Sequence, residues 1–184
     1  EEEIYKALGL RYIEPEMREN TGEIEAARDK ELPELVGYKD LKGDLQVQTD
    51  WTDGEDSIEI MAHAAQDQDL DYIVITDHTR SLAMTGGSDE KKLLRQMAAI
   101  DKLNNKKFST GSNSTLREKS RRFRILKGAE VNIGKDGSLD IKNEVLARLD
   151  VVGAAVHSHF NLSRQEQTQR VIRAMESPHV DIIF

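Results

Sequence analysis

Four stretches of this chain place groups that bind protons, metals or phosphates at regular points. The first is Gly43-Asp44-Leu45-Gln46-Val47-Gln48-Thr49, running on to Asp53-Gly54. It reads as a strand over 45–49 followed by a turn. Gln46 and Gln48 stand two apart, so on a strand they share one face. Asp53 sits on a Gly-terminated turn that can fold back over the strand end. Asp77 and His78 close a second, apolar stretch, Glu130 lies on a third, and His157 ends a fourth. Strand C-termini are where open α/β sheets and βα-barrels assemble active sites. His, Asp and Glu without Cys suit divalent Zn, Mn or Fe. A centrally placed Glu can bridge two metals, the arrangement that activates water against a phosphoester.

Singly, each residue has a plainer reading. A lone His after a strand is more often a satisfied structural or surface histidine, and Asp77 can cap a loop through an Asx turn. The coincidence of four strand ends is what favours a metal site. His63 on a helix, His179 after Pro178, and His159 beyond the strand end are weaker ligands. Ser158 beside His157 lacks the strained elbow of a nucleophilic serine. Gly86-Gly87 lacks the Lys-Ser/Thr of a phosphate loop.

The elements that must position these residues alternate. Strands are expected over 45–49, 71–76, 125–131, 150–156 and 180–184. Helices are expected from a capping box at Asp56 and Glu59, from an N-cap at Ser88, over 141–149, and behind a capping box at Ser163 and Glu166. Ile58, Met61, Ala62 and Ala65 supply one apolar stripe, Leu93, Met97, Ile100 and Asn104 a second, and Val171, Ile172 and Met175 a third. Such β–α repetition implies an α/β fold with a parallel sheet, open or closed into a barrel. A final strand at 180–184 leaves an unpaired edge, so the domain is expected to continue past it.

Residues 1–37 form a separate appendage. A short helix is expected over 1–10, 21–32 is weakly helical at best, and the segment has too little apolar surface for a core of its own. Residues 38–184 form the main domain. Phe108 to Arg124 is Ser/Thr/Asn/Gly loop followed by basic residues. It reads as a solvated loop or, more sharply, as a phosphate-backbone contact through Lys106, Lys107, Arg117, Lys119, Arg121, Arg122 and Arg124.

Composition bounds the function. The chain has 184 residues, a net charge of −8, no cysteine, and 38% hydrophobic and 33% charged residues. That excludes disulfides, thiolate zinc sites and Cys nucleophiles, and no apolar run approaches the ~20 residues that span a bilayer. A cytoplasmic location without membrane contact is the default expectation. The acidic balance argues against steering onto nucleic acid by the overall field, while bound cations can still offset a local carboxylate cluster.

These motifs resemble those of the polymerase-and-histidinol-phosphatase (PHP) domain. Gly43 to Thr49 with Asp53-Gly54 is similar to its first motif and Ile75-Thr76-Asp77-His78 to its second. Gly128-Ala129-Glu130 is similar to the Glu-bearing motif and Ala155-Val156-His157-Ser158 to the next His motif. Ala7 to Glu19 resembles the end of the thumb of bacterial and archaeal family X DNA polymerases. The resemblance implies a partial distorted (β/α)7 barrel with a short N-terminal appendage, and a polymerase core in cis. It implies up to three divalent ions, often Mn or Zn, and 3′–5′ exonuclease or related processing of DNA ends. By motif, Asp53, His78, Glu130 and His157 become metal ligands, with Glu130, His157 and Asp77 as catalytic candidates and Arg80 and Lys127 as phosphate neighbours. The family carries His where Gln46 and Gln48 stand here. A neutral amide oxygen is a weak donor to Zn or Mn, so impaired cleavage is expected. The alternatives are a degenerate structural or DNA-binding module and a histidinol-phosphatase-like small-molecule phosphatase.

Overall fold

The computed structural model describes residues 1–105 and 123–184. The chain forms two compact units, Glu1–Leu41 and Lys42–Phe184. The first holds helices α1 (Glu2–Ala7) and α2 (Glu23–Asp29). Contrary to expectation, it buries a small core: Ile13, Ala27 and Leu32, with Tyr5, Leu10 and Met17 packed against them. No single segment there carries an apolar stripe; one residue from each converges. Arg18 stacks on the rings of Tyr5 and Tyr12, at 5.6 and 5.4 Å. It also bonds Glu1 at 2.9 Å, which holds that carboxyl below its ordinary value.

The second unit runs β1 (Gly43–Val47), α3 (Ile58–Asp67), β2 (Tyr72–Ile75), α4 (Glu90–Asn105), β3 (Arg124–Asn132), α5 (Asn143–Leu146), β4 (Val151–Ala155), α6 (Arg164–Met175) and β5 (Ile182–Ile183). All five strands pair in parallel, in the order β1-β2-β3-β4-β5. The expected α/β class is what forms, and the sheet curls into a half-barrel.

Strand alternation divides the sheet into two faces. Val47, Ile73, Ile75 and Ile125 pack against Ile58, Ala62 and Ala65 of α3 and Ile100 of α4. Ala129, Val131 and Val152 pack against Leu93 and Met97 of α4 and Val145 and Leu146 of α5. A fully buried isoleucine is worth roughly 1.5–3 kcal/mol, so these rows hold the sheet to its helices. The intervening residues, among them Gln46, Glu130 and Asn132, take the other face.

Helix starts differ by a residue from expectation. Ser57, not Asp56, caps α3, its hydroxyl accepting from the Ile60 N–H. Asp89 accepts from the Lys92 N–H at the start of α4, while Ser88 is buried and its N–H bonds the His78 carbonyl at 2.8 Å. The Ser163–Glu166 capping box forms as expected. The buried face of α6 is a correction: Arg170 and Ala174 face inward, whereas Ile172 and Met175 are exposed. Arg170 turns inward because its guanidinium finds carbonyls, Ser158 O at 2.9 Å and Ile133 O at 2.8 Å.

Gly128 is required by close approach. A Cβ there would lie 2.5 Å from Val74 Cγ1, 2.9 Å from Ile75 O and 3.0 Å from Val151 O. Two of those neighbours are sheet backbone and cannot yield. Gly128→Ala is therefore expected to destabilise by about 1–3 kcal/mol, read as a lowered urea midpoint at unchanged slope.

Candidate metal centre

The β2–β3 register brings the first two candidate ligands together. Ile75 pairs with Lys127, and three residues on the same parallel pairing recurs as a His78–Glu130 bridge. The Glu130 N–H donates to Asp77 O at 3.2 Å, and the Thr79 N–H donates to Glu130 O at 3.1 Å. Glu130 pairs with Gly153 on its other side. His157 follows two residues after β4 on the face that Gly153 and Ala155 share with Glu130 and Asn132. Gln46 and Gln48 come from the end of β1.

Glu130 is the hub. Its Oε1 lies 2.8 Å from His157 Nε2 and 3.6 Å from His78 Nδ1. Its Oε2 accepts from both glutamine amides, Gln46 Nε2 at 3.1 Å and Gln48 Nε2 at 3.2 Å. Asp53 Oδ2 stands 3.5 Å from the other ring nitrogen of His78. The imidazoles of His78 and His157 meet edge to face, their centroids 5.2 Å apart.

This arrangement fits a divalent cation. One ligand atom each from His78, Glu130 and His157 lies within 4.8 Å of the other two. His78 Nδ1 is buried with no hydrogen-bond partner; 3.6 Å from a carboxylate is too long for a good hydrogen bond but leaves room for an ion between the two. Among the described residues these three are the group able to hold an ion together. Asp53 faces the far nitrogen of His78 and is not part of that group.

The other expected site residues go elsewhere. Asp77 is fully buried, and its oxygens accept from Thr49 N (2.7 Å), Thr49 Oγ1 (2.6 Å), Thr52 Oγ1 (2.6 Å) and Gln96 Nε2 (2.5 Å). With its oxygens so engaged it ties β1, its turn and α4 together and does not open onto the cluster. Lys127 is three residues from Glu130 and so takes the opposite face, where its Nζ pairs with Asp101 of α4 at 3.2 Å. Arg80 bonds Glu90 at 3.2 Å. His63 and His159 are exposed and His179 is half-buried; none joins the cluster. Of the basic stretch, Lys106 through Arg122 lie outside the described residues.

One curated relative, a DNA polymerase/3′-5′ exonuclease (PolX) of Bacillus subtilis, is 38% identical over 183 residues, 100% of this chain and 30% of that protein. A probable phosphatase of Thermoanaerobacter sp. is 40% identical over 77 residues, 40% of this chain and 31% of its own. Another, from Acetivibrio thermocellus, is 43% identical over 63 residues, 33% of this chain and 26% of its own. This chain belongs to the PHP-bearing family X polymerase type. It spans 30% of the length of the Bacillus polymerase. No protein-family model matches it.

The PHP motifs account for Asp53, His78, Glu130 and His157, but the supporting side chains carry no motif signature. Asn132, two residues after Glu130 on the same strand, accepts from or donates to His157 Nδ1 at 2.7 Å. Strand alternation alone places it beside Glu130, yet the expected strand stopped one residue short of it. Gln96, on a helix distant in sequence, gave no signal at all. Asp77→Ala would strand four donors, and a loss of about 3 kcal/mol or more is expected. Lys127→Ala should cost under about 1 kcal/mol and leave Zn2+ affinity within about twofold. Urea denaturation and calorimetric titration read the two effects.

Proposed function

We propose that this chain is the metal-binding phosphoesterase part of a family X polymerase, with Asp53, His78, Glu130 and His157 as its ligands. Gln46 and Gln48 have taken the place of one ion against Glu130, and cleavage is impaired as a result. The observation that carries this is the pair of amides on one carboxylate oxygen. An ionised carboxylate only accepts, so each glutamine turns its NH2 toward Glu130 and its oxygen away. A cation at Oε2 would have to displace both donors and turn both amides around. The opposite oxygen, facing His157 and His78, carries no such obstruction.

Divalent ions held there would supply Lewis acidity: neutralised phosphate charge and a lowered pKa for bound water. The protein's part is to hold Glu130 by its amide clamp, to aim two imidazoles at one oxygen, and to set Asp53 on the far side of His78. DNA 3′ ends are the proposed substrate, by likeness to the Bacillus polymerase/exonuclease, with the polymerase core in cis. Residues 1–37 are then the end of its thumb and 38–184 the PHP domain. The phosphatase relatives match 40% of the chain or less whereas the polymerase matches all of it, which favours DNA over a small phosphoester. A second reading, a structural or DNA-binding module without cleavage, draws on the same clamp, because Glu130 is partly satisfied with no ion bound.

In the full-length protein carrying this domain, weak Mn2+ binding and little cleavage of single-stranded DNA are expected. The double variant Gln46→His/Gln48→His should gain one bound ion and raise cleavage by about tenfold or more, the scale on which metal-site ligation acts. Robust multi-ion binding and cleavage by the parent would overturn the reading, as would a double variant with no gain in ion count. Measurable cleavage by the parent, however weak, would set aside the purely structural alternative.

A further inference from the structure

Behind His157 lies a buried chain of hydrogen bonds whose direction can be worked out from one end. Asp140, a carboxylate on the loop after β3, only accepts. Its Oδ1 receives Thr79 Oγ1 at 2.7 Å and the Asn132 N–H at 3.1 Å, and its Oδ2 receives Asn132 Nδ2 at 2.9 Å and the Ser81 N–H at 3.0 Å. The single hydroxyl proton of Thr79 is therefore committed to Asp140, so Thr79 Oγ1 accepts from Asn132 Nδ2, at 2.9 Å. Asn132 Nδ2 also reaches Thr79 O at 3.3 Å. With its NH2 thus used, Asn132 presents Oδ1, an acceptor, to His157 Nδ1 at 2.7 Å. Nδ1 must carry a proton, and Nε2, 2.8 Å from Glu130 Oε1, is the nitrogen turned to the cation site. Thr79 and Asn132 are buried, at 0% and 4% exposure, so water does not stand in for either of them.

We infer that Asn132, oriented by Asp140 and Thr79, is a positioning residue that presents Nε2 of His157 to the cation site. The inference rests on the metal-binding reading only in what Nε2 is presented to; the ring proton on Nδ1 is a property of the protein alone. Second partners of this kind lock the ring of a metal-bound histidine, and their loss typically costs ten- to a hundredfold in metal affinity. Asp140 differs from a mere structural carboxylate in that its chemistry, not its bulk, sets the direction. Asparagine at position 140 has nearly the same shape but can donate. It would allow the Asn132 amide to turn round and offer NH2 to His157, so that Nδ1 would become the bare nitrogen.

The test uses ring 15N–1H correlation spectra of His157 in the full-length protein, together with Zn2+ titration. The parent is expected to show a slowly exchanging Nδ1–H both without Zn2+ and with it, the ion shifting only Nε2. Asp140→Asn should lose that Nδ1–H signal and bind Zn2+ at least about tenfold more weakly, with its circular dichroism spectrum unchanged. Thr79→Ser, which keeps the hydroxyl, should retain both the signal and the affinity. An Nδ1 without its proton in the metal-free parent would overturn the inference with no variant needed. So would an Asp140→Asn protein that keeps both the Nδ1–H and Zn2+ affinity within twofold of the parent. A parent with the Nδ1–H in place that binds no Zn2+ would support the orientation of the ring while overturning the proposed ion site, so the two failures are distinguishable.

Discussion

Everything in the site depends on the alignment of β2 with β3. Once Ile75 lies beside Lys127, the same register three residues on carries His78 to Glu130, and the two-residue repeat puts Ile73, Ile75, Ala129 and Val131 on the helix side. A slip of one residue would turn Glu130 into the apolar layer and Ala129 toward the ligands. The buried isoleucines and the Gly128 contact with Val74 and neighbouring backbone resist that slip. Packing on one face therefore sets chemistry on the other. Asp77 adds a second lock, tying β1, the turn before Asp53 and helix α4 through one buried carboxylate.

The second constraint is the charge on Glu130. Its side chain is 5% exposed, and a buried carboxylate is costly unless it is paired and hydrogen-bonded. Here the compensation is divided. One oxygen takes two neutral amide donors, and the other faces two imidazoles. The division is unequal in kind: amides satisfy hydrogen-bonding capacity without bringing positive charge, whereas the imidazole side leaves a buried ring nitrogen without a partner. The demand for a cation thus persists on the histidine side and is relieved on the glutamine side.

Much of the fold was legible in the chain. The β-branched run at Ile73-Val74-Ile75, the Ser163–Glu166 box and the polar strand ends each announced an element or its boundary through local physics. Helix starts were off by a residue at Ser57 and Asp89 because several capping side chains stand in a row and only geometry selects among them. The inward face of α6 was misread for another reason. Arg170 is charged, and nothing local says that carbonyls of two strand ends will receive it. The core of the first unit was missed because Ile13, Ala27 and Leu32 come from separate segments with no periodic stripe.

By itself the sequence determined the types, order and strand-end placement of the candidate ligands, because residue chemistry and period-2 alternation are local properties. It also put two glutamines, Gln46 and Gln48, at the end of the first strand, without saying what those amides would do. Only the tertiary structure decided that both amides converge on one oxygen of Glu130 and that Asp53 addresses the far side of His78. It alone turned Lys127 away to Asp101 and built the Asp140–Thr79–Asn132 support behind His157. Those outcomes rest on contacts between residues far apart in sequence, such as the 84 positions separating Gln46 from Glu130, and long-range register is not written in any one segment.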